Sequence, residues 1–317
     1  MSHNINYECD LHAHTIRSDG KDTPKEIIDK AIDIGLKAVA ITDHDTPPPS
    51  FINVNGKNIN PKEYAKNHEL NLILGYEFST DTYVDDVHIL GYELDWDNKL
   101  LKEEVKRAKE SKSKAYRKLC ELLTEKGMPI NYDEEILKYT DKSGKLKNRK
   151  PVEVEKKFIF EKMVEKGFAN SWEEAKILVK NDEDLSIRRP KIDPIDAINL
   201  IHKCGGIAVL AHPYLINQVV RPNNQKRKTR EQYIFNLIEN GLDGIEANYT
   251  YDKTSYNGYK TKRQIEKEVR LFYGNNIKIS GGSDYHAGHK KNRENPRKLG
   301  EAGISFKAFK NNYLDIL

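Results

Sequence analysis

Seven short apolar runs of β-strand composition recur along the 317-residue chain, and amphipathic helical stretches separate most of them. The runs are Ile5–Leu11, Ala38–Thr42, Leu70–Phe78, Val87–Tyr92, Gly206–Leu210, Gly244–Asn248 and Ile277–Ser280. The first helix is punctuated clearly. Thr23-Pro24-Lys25-Glu26 forms a capping box with proline at the first helical position, Ile27, Ile28, Ala31 and Ile34 follow at helical spacing, and Gly35 stops the turn. Strand and helix in alternation predict a parallel sheet whose crossovers cover it with helices. The seven runs predict closure as a distorted seven-stranded (β/α) barrel rather than a regular eightfold one.

The middle of the chain breaks this rhythm. From Leu100 to about Ile192 the pattern is helical: a long charged helix over Leu100–Lys126, another over Val154–Lys166, and a third opened by Ser171-Trp172-Glu173-Glu174. The expected organisation is therefore a first barrel part at 1–99, a helical insertion at 100–192 and a second barrel part at 193–317. Within the insertion, Lys138–Lys157 is strongly basic, which suits either a solvated loop or a flap facing phosphate.

Composition excludes some classes. With 37% hydrophobic and 32% charged residues and a mean hydropathy of −0.77, the chain reads as a soluble globular protein, and no run approaches the roughly 18 apolar residues of a membrane span. No basic segment followed by an apolar stretch opens the sequence, so the expected compartment is the cytoplasm. Cys9, Cys120 and Cys204 are too widely spaced for a disulfide framework and read as small core residues. A net charge of +4 suits an anionic substrate without requiring nucleic acid.

The chemistry lies at the strand ends. Of ten histidines, six sit in or just beyond the strand runs: His12 and His14, His44, His88, His212 and His286. Carboxylates accompany them: Asp43 and Asp45 around His44, Glu77 at the third run, and Asp284 before His286. In parallel β/α architectures the carboxyl ends of the strands form the functional face, so these positions are expected to converge on one pocket. Imidazole and carboxylate suit Zn, Mn or Fe. His12 and His14 share one face of an extended segment and can grip one ion, while Asp43 or Asp45 is placed to orient His44. Arginine forks match phosphate oxygens, which makes Arg149, Arg188 or Arg189 and Arg17 candidates for substrate contact.

The segments DLHAHTIRSDG (10–20), ITDHD (41–45), GYEFS (75–79), HILGY (88–92), AHP (211–213) and GGSDYHAGHK (281–290) together resemble the PHP superfamily of polymerase and histidinol phosphatase domains. The resemblance implies a TIM-like PHP barrel that binds two or three divalent metal ions, Mn, Zn or Fe. It implies that His12, His14, Glu77 and Asp284 hold one ion, that Glu77 bridges to a second completed by His88 and His212, and that Asp19, His44 and His286 hold a third. Glu77, Asp284 and His212 then stand at the catalytic centre, with a metal-bridging hydroxide as the expected nucleophile. The insertion resembles free-standing phosphatases of nucleotides and 3′,5′-nucleoside bisphosphates, in which an insertion arginine and an asparagine after a later strand touch phosphate. Arg149 and Asn248 are the corresponding positions.

The leading expectation is a phosphate monoesterase acting on a small nucleotide such as AMP or a 3′,5′-bisphosphate. A 5′–3′ exonuclease on short RNA or DNA, or a phosphatase or cyclic phosphodiesterase of a sugar phosphate, would use the same site. His3, His68 and His202 fit no pattern, and His289 is read as a polar surface residue or an outer contact to substrate. The tyrosines 249, 251, 256 and 259 form an aromatic loop suited to stacking on a base or to packing. Gly281-Gly282 is expected to let backbone approach the site closely.

Overall fold

The structure, a computed structural model, describes residues 6–141, 143–185, 187–224, 226–254, 256–288 and 296–317. It divides into two compact units, one of Met1–Lys102 with Ile192–Leu317 and one of Glu103–Lys191.

The first unit contains a seven-stranded sheet whose strands lie side by side in chain order. We label them β1 (Cys9–Asp10), β2 (Ala38–Ile41), β3 (Asn71–Ser79), β4 (His88–Tyr92), β5 (Ile207–Leu210), β6 (Gly244–Asn248) and β7 (Lys278–Gly281). Backbone bonds from Leu11 N to the Gly281 carbonyl and from His14 N to the Tyr285 carbonyl bring the last strand back to the first. The sheet is thereby nearly closed into a barrel.

Alternation along the strands separates two apolar clusters. Ala38, Ala40 and Ile73 join Leu90, Val209, Phe309 and Tyr313 in one, whereas Val39, Ile41, Leu72 and Leu74 join Ile27, Ile28 and Ala31 of the first helix in the other. That helix, α1 (Pro24–Ile34), has the reciprocal Thr23–Glu26 capping box, and Gly35 ends it with φ 83°.

One expectation is corrected. The sheet is not wholly parallel, because β4 runs antiparallel to both β3 and β5. The connection 80–87 is too short for a parallel crossover, which takes a dozen residues or more. The reversal has a functional result. His88 is the first residue of β4 and pairs with Ser79 at the end of β3, so it lies at the same barrel end as the carboxyl termini of the other strands.

The second unit is helical and has its own core. Leu119, Leu123, Ile136, Ile159, Phe160, Met163 and Val179 pack together among helices Lys99–Glu125, Lys156–Glu165 and Trp172–Asn181. A small hairpin, Lys138–Thr140 with Leu146–Asn148, occurs where no strand was expected. Its strands are short, largely exposed and polar, so they carry no alternating apolar signal. Asp141 organises the turn by accepting from Ser143 N, Ser143 Oγ and Lys145 N.

Candidate metal centre

Glu77, fully buried at the end of β3, is surrounded by imidazoles from four other segments. Its Oε1 lies 2.9 Å from His88 Nδ1 and 3.3 Å from His212 Nε2. Its Oε2 lies 2.9 Å from His44 Nδ1, 3.2 Å from His14 Nε2 and 3.3 Å from His12 Nε2. Asp284 Oδ1 approaches His14 Nε2 at 3.0 Å and His12 Nε2 at 3.6 Å. Asp19 Oδ2 lies 3.2 Å from His286 Nε2, and Asp19 Oδ1 lies 3.7 Å from His14 Nδ1. The structure thus brings all nine expected ligands together, and three overlapping groups have donors close enough to share an ion: His12, His14 and Glu77; His44, Glu77 and His88; and His14, Asp19, His44 and His286.

The donors fit divalent cations for a specific reason. Among the described residues, Glu77 Oε2 and His44 Nδ1 are buried atoms without a hydrogen-bond partner, although they lie 2.9 Å apart. A buried carboxylate oxygen left this way carries a desolvation cost of several kcal/mol unless a cation meets it. Without metal, protons take part of that role. Burial alone would raise the Glu77 carboxyl, but the charges of His44, His12 and His88 hold it well below the usual range. Burial would likewise lower His14, yet Asp284 and Glu77 outweigh it and raise that imidazole to about 10.

Several residues set these donors in place. Glu246, buried on β6, accepts from His12 Nδ1 at 3.1 Å and from the His212 backbone N–H at 2.8 Å. It fixes the tautomer that presents His12 Nε2 to the cluster. Sequence reading missed it, although it satisfies the same strand-end criterion as Glu77. Tyr249 donates to Asp284 Oδ2 at 2.7 Å, and Arg297 binds the same carboxylate and the Asp284 carbonyl. Burial would raise Asp284, but Arg297, His286 and His12 hold it well below the usual carboxylate range. Arg297 has no sequence signal, since an arginine in an irregular segment looks like any surface cation.

Asp10 accepts from Ser283 N and Oγ and from Gly300 N, tying the first motif to the last. Asp43 accepts from Thr15 N, Thr15 Oγ1 and Ser18 Oγ, so it orders the loop after His14, while Asp45 accepts from Ser79 N. Gly282 packs against His12 so closely that a Cβ there would fall 2.3 Å from His12 Cβ. His212 (φ 31°) and Asp284 (φ 52°) both adopt left-handed backbone, a strain of the kind found at functional sites.

Of the candidate substrate contacts, Arg17 and Asn248 belong to the first unit and Arg149 and Arg188 to the second. Asn248 lies past an irregularity in the β6–β7 register, which breaks the alternation that would put it on the Glu246 face. Its amide donates to Tyr7 and Glu266 and accepts from Gly303 N, leaving no free donor. Arg17 is exposed and donates to the Pro47 carbonyl. In the helical unit, Arg149 sits between the rings of Tyr139 and Phe158, 3.7 and 3.9 Å from their centroids, and donates to the Ile136 carbonyl. Arg188 lines a cavity of about 370 Å³ in that unit with Arg107, Lys114 and Lys118.

Of the aromatic loop, Tyr249, Tyr251 and Tyr256 pack on one another, whereas Tyr259 is fully exposed. His68 bonds the Tyr64 carbonyl and His202 bonds Asp243. His3 and His289 lie outside the described residues.

Comparison with known proteins places this geometry in context. Residues 10–157 match the model of the PHP domain. A 5′–3′ exoribonuclease of Haemophilus influenzae is 27% identical over 278 residues, covering 87% of this chain and 89% of that one. The 5′–3′ exoribonuclease Rnm of Salmonella typhimurium is 30% identical over 207 residues, covering 64% of each chain. Among solved structures, a Bifidobacterium adolescentis protein named for metal-dependent phosphoesterase activity superposes with TM-score 0.65 at 21% identity, covering 97% of this chain and 96% of that one. An amidohydrolase of Chromobacterium violaceum, solved with sulfate and no metal, does so with TM-score 0.61 at 20% identity, covering 93% and 90%. These two likenesses bear on the fold. No helix among the described residues is long and apolar enough to cross a membrane.

Proposed function

We propose that this chain, whose residues 10–157 match the PHP domain, is a metal-dependent phosphoesterase that removes nucleotides from the 5′ end of RNA. The observation that carries the hydrolytic part is Glu77, a buried carboxylate with one oxygen turned to His88 and His212 and the other turned to His12, His14 and His44. In this reading His12, His14, Glu77 and Asp284 hold one divalent ion, Glu77, His88 and His212 a second, and Asp19, His44 and His286 a third. Such ions, when bound, acidify water and neutralise the oxygens of a phosphate ester. Glu246 keeps His12 in its ligating tautomer, and Tyr249 with Arg297 keeps Asp284 ionised and turned towards the imidazoles.

The exonuclease reading takes precedence over the mononucleotide one because the curated relatives named above are 5′–3′ exoribonucleases. The same donors would serve a phosphatase of AMP or of a 3′,5′-bisphosphate, so substrate length is the discriminating variable. With Mn added, a 3′-labelled, 5′-phosphorylated oligoribonucleotide is expected to shorten stepwise from its 5′ end. Release of phosphate from mononucleotides with no shortening of the oligomer would replace this reading with the phosphatase one.

A further inference from the structure

The loop between β5 and the helix Arg230–Glu239 carries a feature that the metal centre does not use. It follows His212 directly, and it ends in a two-stranded antiparallel ribbon, Val219–Val220 with Lys228–Thr229. Because β5 runs parallel to β6 and β7, the loop lies at the barrel end that carries the ligands. No carboxylate occurs in the sequence between Asp196 and Glu231, while Arg221, Lys226, Arg227 and Lys228 crowd the ribbon. Arg221, Lys226 and Arg227 are exposed, and among the described residues none of the four side chains has a hydrogen bond or ion pair. A concentration of unpaired like charge destabilises a fold through repulsion, so its retention in one loop calls for an external counter-charge.

The base of the ribbon is held firmly. Arg230 stacks on Tyr214 at 3.7 Å, its Nη1 donates to the Ile216 carbonyl, and its backbone N–H bonds the Gln218 carbonyl. Tyr214, two residues past His212, is itself anchored by its backbone N–H to the Tyr251 hydroxyl. Tyr233 of the following helix bonds buried Asp81. The cations are thus carried on a support tied to the turn that presents a ligand.

We propose that this ribbon binds the phosphate backbone of single-stranded RNA downstream of the nucleotide at the metal centre. The inference rests on the exonuclease reading for its choice of partner. A chain whose 5′ end sits at the ligands must leave across this end of the barrel, and it presents a phosphate at every nucleotide to a loop that carries several exposed cations and no carboxylate of its own. Phosphate contacts of this kind supply affinity and position without reading sequence.

The test is an anisotropy titration of a single-stranded, 5′-phosphorylated RNA of about a dozen nucleotides. Wild-type protein and the variants R221A/K226A/R227A and R221K/R227K are compared over a range of salt, with thermal midpoint and metal content as controls of folding. The alanine variant is expected to bind at least about tenfold more weakly at low salt, and the slope of log affinity against log salt is expected to fall by about 2. The lysine variant is expected to keep most of both. Equal affinity and slope for the alanine variant would overturn the proposal, as would failure of the wild type to bind. Stronger capture of phosphatidylserine vesicles than of RNA, lost in the alanine variant, would overturn RNA as the partner. Turnover is scored separately: RNA bound through the ribbon but never shortened sinks the exonuclease reading alone, whereas RNA shortened with unchanged KM in the alanine variant sinks the ribbon alone.

Discussion

Glu246 Oε1 stands 3.1 Å from Nδ1 of His12, a residue 234 positions away in the chain, and its other oxygen takes the backbone N–H of His212. One carboxylate on β6 therefore holds the side chain of one candidate ligand and the backbone of another.

Removing that carboxylate should loosen the cluster without deleting a ligand. Glu246→Ala is expected to weaken divalent-metal affinity about 10- to 100-fold, the usual consequence of losing a hydrogen bond behind a ligating imidazole. Isothermal titration with Mn or Zn measures it, and an unchanged affinity would deny Glu246 this role.

Glu77 faces five imidazoles, so its loss should exceed that of any supporting residue. Glu77→Gln is expected to lower kcat by more than about 100-fold and to reduce bound metal per chain. Elemental analysis alongside kinetics checks both. Near-normal activity would contradict the assignment.

Chelation offers an independent check. EDTA is expected to remove activity, and Mn, Zn or Fe to restore it. Full activity in thoroughly chelated protein would exclude a metal-dependent reaction.

The metal-free protein should respond to pH through its imidazoles. His14 is raised to about 10 in the folded state, against an ordinary value near 6.5. Protonation of His14 therefore stabilises the fold fully below about pH 6.5, and that contribution is lost as pH climbs through about 10. The thermal midpoint of chelated protein is expected to fall over this window, and saturating metal should flatten the fall because metal replaces the proton. An identical pH profile with and without metal would argue against shared donors.

Arg149 lies between two aromatic rings and also bonds a carbonyl, so truncation should cost stability of the helical unit. Arg149→Ala is expected to destabilise by roughly 2 kcal/mol, combining cation–π and hydrogen-bond losses. Denaturant unfolding reads this directly. A raised KM with unchanged stability would instead make Arg149 a contact for phosphate.

How much of this was legible in the sequence depended on the range of the interaction involved. Strands, the first helix and the His and carboxylate positions declare themselves through local composition and spacing, because alternation and capping act within a few residues. The hairpin at Lys138–Asn148 did not, since its exposed polar strands bury too little to leave a pattern. The aromatic loop showed its residues but not their role: Tyr249 turned out to hold Asp284, a partner 35 positions on.

By itself, then, the sequence determined which donors are present and that they fall at the ends of consecutive strands of an α/β barrel. Tertiary structure alone decided that β4 turns back on β3, that Glu77 divides its oxygens between two sets of imidazoles, and that Glu246 holds His12 while Arg297 and Tyr249 hold Asp284. Those relationships join residues tens to hundreds of positions apart. They arise when buried charges are forced together and must find partners, a condition that exists only once the chain has closed on itself.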